Sequence, residues 1–452
     1  MTDSPYDPPK SDLRLPSGYR TTPQATSGMP TGIPPIIGNE AAERFSFYGM
    51  RGILMTFMTM HLMANGVKAP MSEADATFWF HISVMAVYFT PMLGAILADR
   101  WWGKYKTIMV LSMVYCAGHA ALAIDSTRVG LFIGLGLIAL GSGGIKGCVS
   151  AHVGDQFGAQ NSHLLERVYL WFYFSINLGS TLAYLFIPKI LQNYGPHWAF
   201  GIPGIAMAVA TLIFWLGRHR YAHIPARGPQ FWSETFSKEN LAAVGRMAVL
   251  FIFVALFWCL FDQSSSRWVL QAGKLDQTLF GITVTPDQMQ TANPIMVMAF
   301  LPLCGFVIYP AISLFFPLTP LRKIGIGFFL AVISFLIPAW LESRIDAGAT
   351  PTIAWQVVAY FFLTMAEVMI SPTLLEFSYT QAAKSGKSLM LGVNLASVAL
   401  GNLFTAIVNL VGADSLTGPS YYLFFAGLML LAALVFIPFS RQFRERLVLQ
   451  DG

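Results

Sequence analysis

Charge is what this chain has least of. Only 11% of its 452 residues are Asp, Glu, Lys or Arg, against 55% hydrophobic, whereas a soluble domain carries about a quarter charged residues. A large water-soluble core is thereby excluded. Cysteine is also scarce. Cys116, Cys148, Cys259 and Cys304 each sit inside an apolar run, which reads as small core residues and not as a disulfide framework. The histidines outside the spans' charged positions (His61, His119, His152, His163, His197, His219, His223) show no metal-ligand spacing, and no His-Glu-x-x-His run occurs. No metal is expected. The "SGKS" at 385–388 has Gln381 where a phosphate loop needs its first glycine, so ATP is not an expected partner. There is no nucleophile–base motif and no cofactor signature, so neither an enzyme nor a cofactor is expected. No basic segment followed by an apolar one opens the chain, so no cleaved signal peptide is expected. Strict alternation of apolar and polar residues is missing as well, which argues against a β-barrel.

What the chain has instead is a series of apolar runs, with a mean hydropathy of +0.57. Many runs reach the ~20 residues that cross a bilayer as a helix. The spans read as 33–63, 76–98, 107–125, 129–151, 167–190, 199–217, 247–270, 292–315, 324–342, 354–377, 388–412 and 420–440. The fold class is therefore an all-α polytopic membrane protein with 12 transmembrane helices in two six-helix bundles. The domains are a Pro/Ser/Thr-rich disordered tail (1–32), an N-terminal bundle (33–217), a linker (218–246), a C-terminal bundle (247–440) and a C-tail (441–452).

Basic residues test the topology. With the N-tail inside, the inner loops hold most of them, including Arg100, Lys104, Lys106, Arg218, Arg220 and Arg227. The outer loops hold few, among them Lys68, Arg128 and Lys274. This bias places both termini in the cytoplasm and accounts for the net charge of +5 without nucleic acid as a partner. "GAILADRWWGKYKT" (Gly94–Thr107) joins spans two and three and resembles the cytoplasmic loop motif of the major facilitators. That resemblance fits two bundles around a central cavity.

Ionisable groups inside spans are costly and by default indicate a functional site. Those groups are Glu40, Glu43, Arg44, Arg51, His81, Lys146, Asp262, Glu367 and Glu376. In "EAAERFSFYGMR", Glu40, Glu43, Arg44, Phe47, Tyr48 and Arg51 recur at helical spacing, which puts them on one helix face. Lipid does not tolerate such a face, so it is expected to line a cavity or meet other helices. Lys146 lies deep in span four beside glycines that permit close helix approach, and Glu40, Glu43 or Glu367 are its expected partners. Glu367 has no base within a helical turn, and Pro372 follows it. Asp262 is alone in its run, one turn beyond Trp258. His81 opens an apolar span and titrates in the physiological range. Facing cationic and anionic groups suit a zwitterionic solute, and a carboxylate set suits proton coupling.

Several segments resemble the proton-dependent oligopeptide transporter family. "EAAERFSFYGMR" is similar to its Glu-x-x-Glu-Arg-Phe-x-Tyr-Tyr signature, and "YLWFYFSINLGS" to its Phe-Tyr-x-x-Ile-Asn-x-Gly-Ser signature. "GSGGIKGCVSAHVGDQF", "FWCLFDQSSSRWVLQA", "PDQMQTANPIM" and "LLEFSYTQA" also resemble family segments, in particular those of animal intestinal and renal carriers. The resemblance implies a proton-coupled symporter importing di- and tripeptides across the plasma membrane by alternating access. It implies that Arg44 and Lys146 receive the peptide carboxylate and Glu367 the amino terminus. Asn177 and Asn293 would bind the peptide backbone, and Tyr48, Tyr88 and Trp258 would line side-chain pockets. Glu40, Glu43 and His81 would handle protons, and Arg51 and Asp262 would pair as a gate. A carrier of nitrate or another small anion, or a non-transporting peptide sensor, are the alternatives within this reading. Two departures stand out. Phe47 replaces a signature Tyr. Gly305 replaces an aspartate thought to pair with the position of Arg246.

Overall fold

Apolar runs of this length satisfy their backbone polar groups only by coiling, since the hydrocarbon core offers no water. The computed structural model describes residues 19–381, 387–412 and 415–443. Its long helices are α1 (Ile33–Thr56), α2 (Glu73–Trp102), α3 (Lys104–Ile124), α4 (Arg128–Gly154), α5 (Ser162–Tyr194), α6 (Pro196–Leu216), α7 (Lys238–Ala272), α8 (Pro286–Ser313), α9 (Pro320–Asp346), α10 (Ala354–Thr380), α11 (Lys387–Val411) and α12 (Pro419–Gln442). Eleven of these are long and apolar enough to cross a membrane by length and composition alone. The exception is α1, whose apolar content is diluted by Glu40, Glu43, Arg44 and Arg51.

Starts are set locally. The side chains of Ser72, Thr127, Ser237 and Thr319 each accept a hydrogen bond from a backbone N–H in the first turn of α2, α4, α7 and α9, which satisfies donors that a helix leaves open. Proline occupies an early position of α1, α6, α9 and α12, where its missing N–H is harmless. Ser237 also explains a boundary that the sequence reading set late. Helix α7 begins at Lys238, so 238–246, expected as linker, form its polar first turns.

Two large apolar cores form among the described residues, one mainly among α1–α6 and one among α7–α12, with a smaller cluster of Val297, Phe300, Cys304, Met365 and Val368 between α8 and α10. The halves meet where α2 packs on α11 and where α5 packs on α8. Inside the N-terminal half the glycines of α4 bring helices close. A Cβ on Gly141 would lie 2.7 Å from the Leu111 carbonyl and 2.7 Å from Tyr115 Cβ. Two hairpins mark the pseudo-symmetry. After α1, Met63–Ala64 pairs with Val67–Lys68 through Asn65-Gly66, and after α7, Thr278–Leu279 pairs with Ile282–Thr283 through Phe280-Gly281. Both turn residues have positive φ in each hairpin, the conformation that matches strand twist in a two-residue turn.

At the opposite end lies the linker. Residues 19–32, expected as part of a disordered tail, are held there. Arg20 bridges to Ala222, the His223 N–H donates to the Arg20 carbonyl at 2.7 Å, and the Tyr19 ring stacks on His223 with centroids 4.3 Å apart. Aromatic stacking and a backbone bridge order this segment despite its composition. Residues 1–18 of the expected tail, Lys384, Ser385 and the C-tail beyond Phe443 lie outside the described residues.

Candidate functional site

The site is built from the charged face of α1. Glu40 and Glu43 are wholly buried, and Arg44 and Arg51 nearly so. Arg44 Nε lies 2.6 Å from Glu40 Oε1 and 3.1 Å from Glu43 Oε2. A single guanidinium thus bridges the two carboxylates, while Glu40 Oε2 and both Glu43 oxygens have no hydrogen-bond partner among the described residues. This corrects the expectation for Lys146. Among the described residues its ammonium makes no ion pair with Glu40, Glu43 or Glu367. It sits instead over the Phe47 ring, 3.9 Å from the centroid, and over the Tyr88 ring at 4.2 Å. The physical reason is that Arg44 already occupies the acids, while the faces of two rings attract a cation electrostatically. Phe47, the departure from the family signature, is 1% exposed and forms one wall of this cage.

Across the cleft, Glu367 on α10 accepts a hydrogen bond from Asn293 on α8 at 2.7 Å, and Asn293 also donates to Thr364 at 3.1 Å. Glu367 has no cationic partner within ion-pair distance among the described residues. Tyr48 packs on Phe47 and Tyr184, with centroids 5.3 and 5.6 Å apart. Trp258 is half-buried beside Phe257 and Phe261, and its indole N–H has no hydrogen-bond partner among the described residues. Asn177 donates to the Tyr173 carbonyl of its own helix at 3.0 Å. Glu376 is exposed. Gly305 has open space around it, and Arg246 forms no ion pair among the described residues.

Arg51 lies seven residues beyond Arg44, about 10 Å further along α1 toward the hairpins. It pairs with Asp262, the partner expected from the sequence. The pair extends into a network that the sequence reading missed. The second carboxylate oxygen of Asp262 accepts from Asn402 Nδ2 at 2.7 Å. Asn402 Oδ1 lies 2.7 Å from His81 Nδ1, and His81 Nε2 lies 3.0 Å from Ser266 Oγ. Asp262 accepts only, so it turns the amide of Asn402 toward itself and the carbonyl toward His81. His81 Nδ1 then donates to Asn402, while Nε2 meets the Ser266 hydroxyl on the other side of the ring. The signal was present on α11. Asn394, Asn402, Thr405 and Asn409 recur at helical spacing through an apolar run and give that helix a polar stripe.

Further contacts join the halves at the same end. Thr56 donates to Asp287 at 2.8 Å, and the side chains of Gln288 and Gln290 each donate at 2.8 Å, to the carbonyls of Leu185 and Gly52. Glu73 lies 3.6 Å from Arg267 and 3.7 Å from Lys274. The cross-half side-chain contacts named here, Arg51 with Asp262, His81 with Asn402 and Ser266, Thr56 with Asp287, Gln288 and Gln290 with the first half, and Glu73 with Arg267 and Lys274, lie at the hairpin end. Arg44, Lys146 and Glu367 sit deeper between the halves, on the linker side of these contacts.

Two six-helix halves, a charged cleft between them and one sealed end define a carrier of the major facilitator fold. The model of the POT family matches residues 105–239 and 229–421, and the chain belongs to that family. It is 34% identical over 425 residues to mouse Solute carrier family 15 member 2, covering 83% of this chain and 56% of the relative. It is 36% identical to Peptide transporter family 1 of Drosophila melanogaster, covering 70% and 48%. The chain thus spans about half the length of the curated relatives it matches. A solved auto-inhibited POT family peptide transporter is 34% identical with a TM-score of 0.85 and covers 94% of this chain and 99% of that one. The POT family transporter PepTSo is 36% identical with a TM-score of 0.83, covering 92% and 99%.

Proposed function

We propose that this chain is a proton-coupled symporter that imports di- and tripeptides by alternating access, and that it is a carrier and not an enzyme. The reading rests on one observation. The cationic groups of the site, Arg44 and caged Lys146, belong to the N-terminal half, while the acceptor Glu367 belongs to the C-terminal half and has no cation within ion-pair distance among the described residues. A zwitterionic peptide completes both ends at once and draws the halves together. Arg44 and Lys146 receive the peptide carboxylate, Glu367 its ammonium, and Asn177 and Asn293 the peptide backbone. Tyr48, Tyr88 and Trp258 line the side-chain space. The relatives named as peptide transporters support this substrate class.

In this reading the protein sits in the cell membrane with both termini in the cytoplasm, so the hairpin end, where the halves are joined, faces outward. The coupling ion is the proton, and no cofactor is required. Glu40, Glu43 and His81 exchange it, because each sits where a change of charge alters an ion pair: the two acids on Arg44, and His81 through Asn402 on the Arg51–Asp262 gate. Peptide and proton drive the cycle only through their different affinities for the two conformations. The test is uptake of a labelled dipeptide into proteoliposomes with an imposed inward proton gradient. Uptake that a protonophore abolishes is the expected result. Nitrate transport with no competition from dipeptide would overturn the reading.

A further inference from the structure

At the outer end, away from the central cleft, α2, α7, α9 and α12 enclose a cavity of about 340 Å³, at the small end of the ~300–1,000 Å³ usual for ligand pockets. Its walls carry charge of both signs: Arg267 and Lys274 against Glu73, Glu342 and Asp346. Four of these five are already engaged with one another. Lys274 Nζ lies 3.3 Å from Glu342 and 3.7 Å from Glu73, and Arg267 lies 3.6 Å from Glu73 and stacks over Tyr421 at 4.4 Å. The Asp346 side chain is left exposed with no hydrogen bond or ion pair among the described residues. The chain keeps the space beside it open with Gly418, at φ +55° and ψ −135°, where a Cβ would stand 2.7 Å from the Asp346 carboxylate.

We propose that this cavity is an outer-face binding site for short zwitterionic peptides, which load there before the central cleft opens to them. The proposal rests on the peptide-carrier reading above. An ion of one sign meets repulsion from like-charged walls, whereas a solute with both charges matches both walls. Asp346 takes the ammonium. The peptide carboxylate takes Lys274 and Arg267, and in doing so displaces Glu73. That displacement has a mechanical consequence. Glu73 is the α2 partner of two α7-side cations, and it is 47% exposed, so its pairs are weak and easily exchanged. A peptide that replaces Glu73 unfastens α2 from α7 at the rim, on the path by which the outer gate opens. Substrate in the vestibule thereby assists the opening that admits it.

Two variants of exposed residues move in opposite directions if this holds. In sided proteoliposomes, Asp346→Asn is expected to raise the external KM for dipeptide about twofold to fivefold, the effect of losing one exposed charge pair, with the KM measured from the inner face unchanged. Asp346→Glu is expected to restore the external KM. Glu73→Gln removes the competing carboxylate and is expected to lower the external KM. Shifts of both variants in the same direction, equal shifts from both faces, or no shift with Asp346→Asn would overturn the proposal while leaving the peptide-carrier reading intact. Wild-type protein that takes up no dipeptide from either face would overturn both.

Discussion

The aromatic cage of Lys146 gives the sharpest quantitative prediction. Phe47→Leu removes one of the two ring faces over the ammonium and leaves Tyr88 in place. A desolvated cation–π contact contributes about 2 kcal/mol, and an exposed one ~0.5–1. Lys146 is partly buried and has no carboxylate within ion-pair distance among the described residues, so about 1–2 kcal/mol is a reasonable loss. Without that ring the ammonium is less well held where a peptide carboxylate would meet it. By affinity arithmetic the KM for dipeptides should rise roughly fivefold to thirtyfold. The assay is inhibition of labelled dipeptide uptake by an unlabelled dipeptide and by its C-terminal amide. The dipeptide should weaken by that factor and the amide should not. Phe47→Tyr keeps the ring and should stay close to wild type. An unchanged dipeptide KM in a well-folded Phe47→Leu protein, or an equal loss for peptide and amide, would refute the cage as the holder of Lys146.

Other consequences follow from packing and from the gate. Asn402→Leu leaves an oxygen of Asp262 and Nδ1 of His81 without their partners, and each buried unpaired group costs about 1–3 kcal/mol. The thermal midpoint should fall, and a thiol reagent applied from outside should reach a cysteine placed below Arg51 faster than in the parent. Unchanged labelling would count against Asn402 as a gate residue. Gly141→Val should abolish recovery of monodisperse protein, because its first side-chain atom would already lie 2.7 Å from the Leu111 carbonyl. Gly147→Ala on the same helix should be tolerated, since nothing lies within 4 Å of a Cβ there. Size-exclusion profiles distinguish the two. Asn293→Leu removes the hydrogen bond that positions Glu367. It should raise the KM for dipeptides more than that for analogues lacking the free amine, and equal effects on both would argue against that positioning role.

Much of this was legible in the sequence because membrane physics punishes exceptions. A charged face on α1, a lone Asp262 and a lone Glu367 stand out in an 11%-charged chain, and the structure brings Arg51 to Asp262 and Arg44 to Glu40 and Glu43. What resisted reading was distance across the fold. Nothing local ties Asn402 to His81, 321 residues away, and only the polar stripe of α11 hinted that it had a partner. Lys146 was expected to seek an acid, and the sequence could not show that Arg44 occupied both nearby ones. The order of residues 19–32 was hidden for a similar reason. Its composition is that of a tail, and its stability comes from Tyr19 and Arg20 meeting the linker some 200 residues later.

The central claim is that one carboxylate in the C-terminal half couples substrate to the cycle. The most direct measurement compares wild type with Glu367→Gln in proteoliposomes carrying an inward proton gradient and a labelled dipeptide. The account predicts concentrative uptake for wild type, collapsed by a protonophore, and no accumulation for Glu367→Gln. Accumulation by Glu367→Gln equal to wild type, or wild-type uptake indifferent to the gradient, would contradict it.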